Sequence, residues 1–222
     1  ADLEVAAKGA ARAGFTNSGQ VCLCGSRILV DASVATKFTE LLLKEVRAMR
    51  QGDPKSEETE IGSVISMQHL EKVESYVELA KQEGGTILTG GKRPSFSNEE
   101  MNHGAFLEPT VIGGLDINSR TATEEIFGPV VTLHTFENQE QAIEMANSTE
   151  YGLAGSVWTK DLARGRQFSK QIETGIMWVN TWLHRDLRTP FGGVKNSGVG
   201  REGGQWSLSF FSEMTNICVK HD

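Results

Sequence analysis

Val130-Val131-Thr132-Leu133-His134-Thr135-Phe136 is an apolar run rich in β-branched residues, and after Glu137-Asn138 it gives way to Gln139-Glu140-Gln141-Ala142-Ile143-Glu144-Met145-Ala146-Asn147, whose apolar positions recur at helical spacing. The first stretch suits a buried strand and the second a helix packed beside it. Downstream the alternation continues with a strand at 154–158, a helix at 162–171 and a strand at 176–179. Upstream lie strands at 106–112 and 86–88, and a helix at 67–83 that stops at Gly84-Gly85. Further upstream, an amphipathic helix at 33–49 carries Phe38, Leu41, Leu42, Val46 and Met49 on one face, a short strand occupies 27–30, and a first helix at 2–15 starts behind Asp2. Helices alternating with short apolar strands predict an α/β domain with a largely parallel sheet and flanking helices.

The 222 residues fit one large domain better than two. Hydrophobic residues make up 38% and charged residues 23%, and no apolar run approaches the roughly eighteen residues of a membrane span. A net charge of −7 with scattered Lys and Arg argues against a nucleic-acid partner, because a phosphate backbone is met by clustered cations. Three cysteines, Cys22, Cys24 and Cys218, are too few and too uneven for a disulfide framework, which suits the cytoplasm. The chain opens at Ala1 inside a helical pattern, with no initiator Met and no leader, and reads as a fragment.

Cys22 follows the first helix in Gly19-Gln20-Val21-Cys22, a small loop where a thiol is either an accessible nucleophile or a small buried hydrophobe. The Cys22-Leu23-Cys24 spacing has no companion cluster of His or Cys, so no metal is expected. Gly198-Val199-Gly200-Arg201-Glu202-Gly203 matches a phosphate-loop pattern but follows no strand, and reads as a close-packed turn. Glu124-Glu125-Ile126-Phe127-Gly128-Pro129 reads, on residues alone, as acids at a helix N-terminus before a strand. Loops leaving strand ends carry ligands in α/β folds, so the segment from Trp178 to Gly193 draws notice for His184, Arg185 and Arg188 set among aromatics. Those arginines either fork a ligand carboxylate or pair with Asp186 and other surface acids. A terminal strand at Asn216-Ile217-Cys218-Val219 has nothing after it to pair with, and another subunit is one cover for such an edge.

Four stretches in one order, Asn17-Ser18-Gly19-Gln20-Val21-Cys22, Glu124-Glu125-Ile126-Phe127-Gly128-Pro129, Tyr151-Gly152-Leu153-Ala154 and Pro190-Phe191-Gly192-Gly193-Val194-Lys195-Asn196-Ser197-Gly198, resemble the aldehyde dehydrogenase superfamily across essentially the whole chain. The resemblance implies a catalytic domain over 1–205 and an oligomerisation strand over 206–222, in an enzyme that assembles as a dimer or tetramer. It implies NAD as cofactor, with NADP left open, and a small aldehyde as substrate. Cys22 takes the place of the nucleophile, Glu125 of a ligand to the nicotinamide ribose, and Phe127 of a neighbour of the nicotinamide ring; His69 and Lys72 come near the adenosine ribose.

The pattern around Arg185 and Arg188 resembles the branch acting on 2-hydroxymuconic or 2-aminomuconic semialdehyde, whose remote carboxylate a cationic fork would complement. Arg185 is the first choice for that contact and Arg188 the second. Relatives acting on betaine aldehyde or aliphatic aldehydes form the competing reading. The family's general base, oxyanion Asn and cofactor-binding Gly and Lys precede its nucleophile, and this chain begins after them. The chain alone is therefore expected to turn over negligibly, or to be an idle folded module that only self-associates. Gly62-Ser63 replaces the family's more usual Gly-Pro.

Overall fold

The computed structural model describes all residues from Ala1 to Asp222. The helices are α1 (Leu3–Phe15), α2 (Ala35–Ala48), α3 (Met67–Gln82), α4 (Glu99–Asn102), α5 (Arg120–Thr123), α6 (Gln139–Asn147), α7 (Leu162–Ser169) and α8 (Gly204–Phe210). The strands are β1 (Arg27–Asp31), β2 (Thr86–Thr89), β3 (Thr110–Gly113), β4 (Val130–Phe136), β5 (Tyr151–Gly152), β6 (Ala154–Val157), β7 (Ile176–Val179) and β8 (Val194–Lys195). Four strands form the main sheet in the order β1-β4-β3-β2, with β1, β4 and β3 parallel and β2 antiparallel at one edge. A parallel pair, β6 and β7, and an antiparallel pair, β5 and β8, stand apart.

Both faces of the main sheet are covered, and the alternation of side chains along each strand decides what goes where. Val111, Val131 and Leu133 point into a core with Ala7, Ala11 and Phe15 of α1 and Phe38, Leu42 and Val46 of α2. Ile112 and Val130 point the other way, into a core with Leu70, Val73, Val77 and Ala80 of α3. A third, smaller core joins Ala13 and Leu23 to Trp178 and Trp182. It ties the end of α1 to the loop after β7.

Three expectations change. The strand expected at 106–112 starts only at Thr110, because the preceding backbone is engaged elsewhere: Val64 N–H donates to Ala105 O, and Glu108 N–H to Lys92 O. Pro109, with no N–H, then stands before the first ladder residue. Glu124 and Glu125 follow the C-terminus of α5 rather than opening a helix. No strand forms at 216–219 within the single chain; α8 ends at Phe210 and the residues after it are exposed, with no neighbouring edge to complete a ladder. In addition, β8 does precede the glycine-rich turn at 198–203, but it spans two residues and pairs antiparallel with β5, so no strand-to-helix phosphate loop is built.

His134 lies in β4, buried, with its Nε2 lacking any hydrogen-bond partner. Burial, reinforced by the nearby Arg27 cation, holds its pKa below the ordinary value. The folded state therefore keeps it neutral while the unfolded chain takes up a proton below about pH 6.5. Stability from this group is complete above that pH and falls as the pH drops toward the lowered folded value. His134→Phe is expected to shrink the loss of urea midpoint between pH 7 and pH 5, by a stability difference of at most about 2 kcal/mol. Equal acid losses in both proteins would remove His134 as the cause.

The chain exposes 13430 Å². A closed monomer of its 24.2 kDa mass exposes about 10,000 Å². The excess includes an apolar strip along α8 and the tail, where Phe210, Phe211, Met214, Ile217 and Val219 are all open to solvent.

Candidate active site

The chain leaves α1 through three consecutive left-handed residues, Asn17 (φ 52°), Ser18 (φ 55°) and Gly19 (φ 72°). Asn and Gly tolerate that conformation, but Ser resists it, so neighbouring contacts must hold the turn. Ser18 Oγ donates to Gly62 O at 2.9 Å, Asn17 Nδ2 to Gln20 O at 3.1 Å, and Ile65 N–H to Gln20 Oε1 at 2.9 Å. Gly19 packs so closely on the backbone of Gly128 and Pro129 that a Cβ would land inside the Gly128 carbonyl.

This turn delivers Val21-Cys22-Leu23-Cys24, closed by Cys24 N–H donating to Val21 O at 2.9 Å. Leu23 is buried, whereas Cys22 is exposed with a free thiol. The backbone N–H of Cys22 donates to nothing within the chain. Cys24 behaves differently: burial pushes its pKa up to about 11, so it stays a thiol at neutral pH. Of the two sulfurs, only Cys22 combines access with an open N–H beside it.

Packing of Gly19 on Gly128 brings the segment from Glu124 to Pro129 against the Cys22 turn. Glu124 is spent, accepting from Tyr76 Oη at 2.6 Å and forking with Arg120, and those bonds depress its pKa to about 2. Glu125 is exposed and its carboxylate joins no ion pair or hydrogen bond. Phe127 adopts φ 59° and exposes 37% of its surface. Its carbonyl accepts from His69 Nε2 at 2.7 Å, and Lys72 Nζ donates to Glu125 O at 3.0 Å. His69 and Lys72, one turn apart on α3, thus hold the backbone that presents Glu125 and Phe127. The resemblance sets them near the adenosine ribose; their bonds to these two carbonyls had no signal in the residues themselves.

After β7 the chain again turns left-handed, at Asn180 (φ 56°) and Leu183 (φ 60°). Trp178 Nε1 donates to His184 O at 2.9 Å, and Trp182 Nε1 to Leu23 O at 2.8 Å. The loop that follows lines a cavity of about 90 Å³ with Trp178, His184, Arg185, Leu187 and Phe191. The Arg185 guanidinium lies over the Phe191 ring at 4.5 Å, in no ion pair. Arg188 does not line that cavity; Asp186 occupies its guanidinium through bonds of 2.9 Å and 3.2 Å to Nε, and the pair holds the Asp186 pKa below the usual range. The two arginines differ accordingly: Arg188 is taken by Asp186, and Arg185 keeps a guanidinium in no ion pair. Glu202 lines the same cavity.

No group of three or more His, Cys, Asp or Glu side chains is placed to hold a metal ion. No helix is long and apolar enough to cross a membrane.

A family model described as the aldehyde dehydrogenase family matches residues 1–217. A 2-aminomuconic 6-semialdehyde dehydrogenase from Pseudomonas sp is 48% identical over 221 residues, covering 100% of this chain and 45% of the relative. A 2-hydroxymuconic semialdehyde dehydrogenase from Pseudomonas putida is 44% identical, covering 99% of this chain and 45% of the relative. Among solved structures, a betaine aldehyde dehydrogenase from Staphylococcus aureus in complex with NAD+ matches with a TM-score of 0.91 and 42% identity, over 95% of this chain and 41% of that one. The chain spans a little under half the length of the curated relatives it matches.

Proposed function

The chain belongs to the aldehyde dehydrogenase family, and from that membership we propose that it carries the thiol half of an NAD-dependent enzyme oxidising a semialdehyde acid to a diacid, with Cys22 as nucleophile. The observation that carries this reading is an exposed thiol with a free backbone N–H, packed through Gly19 against the segment that presents an unpaired Glu125 and an exposed Phe127.

The Cys22 thiolate attacks the aldehyde carbon, forming a C–S bond and moving an electron pair onto the carbonyl oxygen. The unengaged Cys22 N–H stabilises that oxyanion. Glu125, its carboxylate uncommitted, would accept from the hydroxyls of the nicotinamide ribose, and the exposed Phe127 would offer a ring face beside it. NAD held there would supply the hydride acceptor that the thiohemiacetal carbon needs. Water then cleaves the thioester on Cys22, releasing the acid and restoring the thiol. We place the base that activates this water, and most of the dinucleotide site, outside these 222 residues; the chain alone captures electrophiles without turnover. NADP is left open as an alternative cofactor. Residues 1–205 act as the catalytic domain, and 206–222, with their exposed apolar strip, as the segment through which copies associate. Three free cysteines suit work in the cytoplasm.

Arg185 selects the substrate by meeting its remote carboxylate. A chloromethyl ketone bearing a distal carboxylate, compared with its methyl ester, tests this on the chain as it stands. Thiolate displaces chloride and leaves a C–S adduct, and the concentration dependence separates KI from kinact. Arg185→Ala is expected to raise KI for the acid by about tenfold or more while leaving KI for the ester within twofold. Equal changes for both reagents would exclude the carboxylate contact. The Glu202 carboxylate and the Trp178 and Phe191 rings favour a second reading, a cationic substrate of the betaine aldehyde type. A trimethylammonium ketone that labels faster than the acid would establish it, and no label at Cys22 would leave only an idle, self-associating module.

A further inference from the structure

We infer that Trp182 is a positioning residue for the nucleophile, acting through the Leu23 carbonyl; this rests on the assignment of Cys22 given above. Trp182 is buried, and its indole N–H reaches across 159 residues of sequence to Leu23 O at 2.8 Å. Leu23 is the residue directly after Cys22, so this bond fixes one peptide plane of the nucleophile turn, while Cys24 N–H to Val21 O fixes the other side. Leu23 also buries its side chain in the small core with Ala13, Trp178 and Trp182. Held at both carbonyls and by its buried neighbour, the turn has one orientation, and the Cys22 sulfur and N–H are aimed together. Trp182 is followed directly by the left-handed Leu183, after which His184 and Arg185 line the cavity.

The two tryptophans of this core divide the work. Trp178 Nε1 holds His184 O, within the loop that lines the cavity, whereas Trp182 Nε1 holds the nucleophile turn. Loss of the Trp182 N–H leaves the Leu23 carbonyl buried without a partner, which displaces the turn and misaligns the attacking sulfur. A misplacement of that kind lowers the chemical step and leaves binding alone.

The test uses the carboxylate-bearing chloromethyl ketone on the 222-residue chain, with the adduct located by peptide mass mapping. Trp182→Phe, which keeps an aromatic ring in the core and removes the donor, is expected to lower kinact about tenfold with KI within twofold of the parent. Trp178→Phe is expected to do the reverse, raising KI with kinact within twofold. An adduct on Cys22 with unchanged kinact in Trp182→Phe, or a loss confined to KI, overturns the positioning role while leaving the nucleophile intact. An adduct in the parent chain on Cys218 or Cys24 instead sinks the underlying assignment. Should Trp182→Phe fail to fold, hydrogen exchange on the parent chain decides: the Trp182 indole N–H and the Cys24 amide are expected to slow together when Cys22 is alkylated. Independent exchange of the two sites overturns the coupling.

Discussion

Cys22→Ala in any longer chain that carries these residues and turns over is expected to lower kcat by about four orders of magnitude or more, since no other group can form the covalent intermediate. Cys24, two residues away, is no substitute. With a pKa pushed to about 11 it presents a thiolate in only about one molecule in ten thousand at pH 7. In the 222-residue chain, iodoacetamide at pH 7 should modify the exposed Cys22 and Cys218 and spare Cys24. Labelling of Cys24 should then climb about tenfold per pH unit toward 11. Aldehyde oxidation that survives Cys22→Ala, or rapid neutral labelling of Cys24, would contradict the assignment.

Gly19→Ala is expected to be severely damaging for a change of one methyl group. The residue sits at φ 72°, where a Cβ is disfavoured by about 1–2 kcal/mol, and the added carbon would occupy the Gly128 carbonyl. Backbone on both sides must separate, which parts the Cys22 turn from the segment carrying Glu125 and Phe127. A total destabilisation of about 3 kcal/mol or more follows, or a fall in Tm of roughly 10 °C for a domain of this size. Calorimetry on the two chains checks the first effect. Labelling by the chloromethyl ketone checks the second, and a variant that melts with the parent would show that the two loops are not in contact.

The parts of the fold that local pattern controls were legible in the residues. The helix at Gln139–Asn147 and the strand at Val130–Phe136 lie where periodicity puts them, because each satisfies its backbone within one stretch or a regular ladder. The start of β3 was not, since Ala105 and Glu108 give their backbone groups to Val64 and Lys92, partners far away in sequence. The tail at 216–219 has strand chemistry and no ladder, as pairing belongs to two segments and a sequence shows only one.

The site divides in the same way. Cys22 and Phe127 could be singled out by resemblance, while residues alone left the thiol open between nucleophile and buried hydrophobe. Its exposure removes the buried alternative. Arg185 and Arg188 were indistinguishable as residue types; the Asp186 fork separates them. The left-handed Ser18 and the bond from Trp182 to Leu23 had no local signal beyond the turn-forming Asn17-Ser18-Gly19.

The distance along the chain between Leu23 and Trp182 also sets an order of events during synthesis. When Cys22 is joined to the growing chain, β4, against which β1 must zip, is about a hundred residues from being made, and the indole that steadies the turn is later still. The newborn thiol therefore spends that interval on an unfinished surface, open to any passing electrophile or oxidant. The fixed setting of that thiol is a late acquisition of the polypeptide, gained only after nearly all of these residues have been joined.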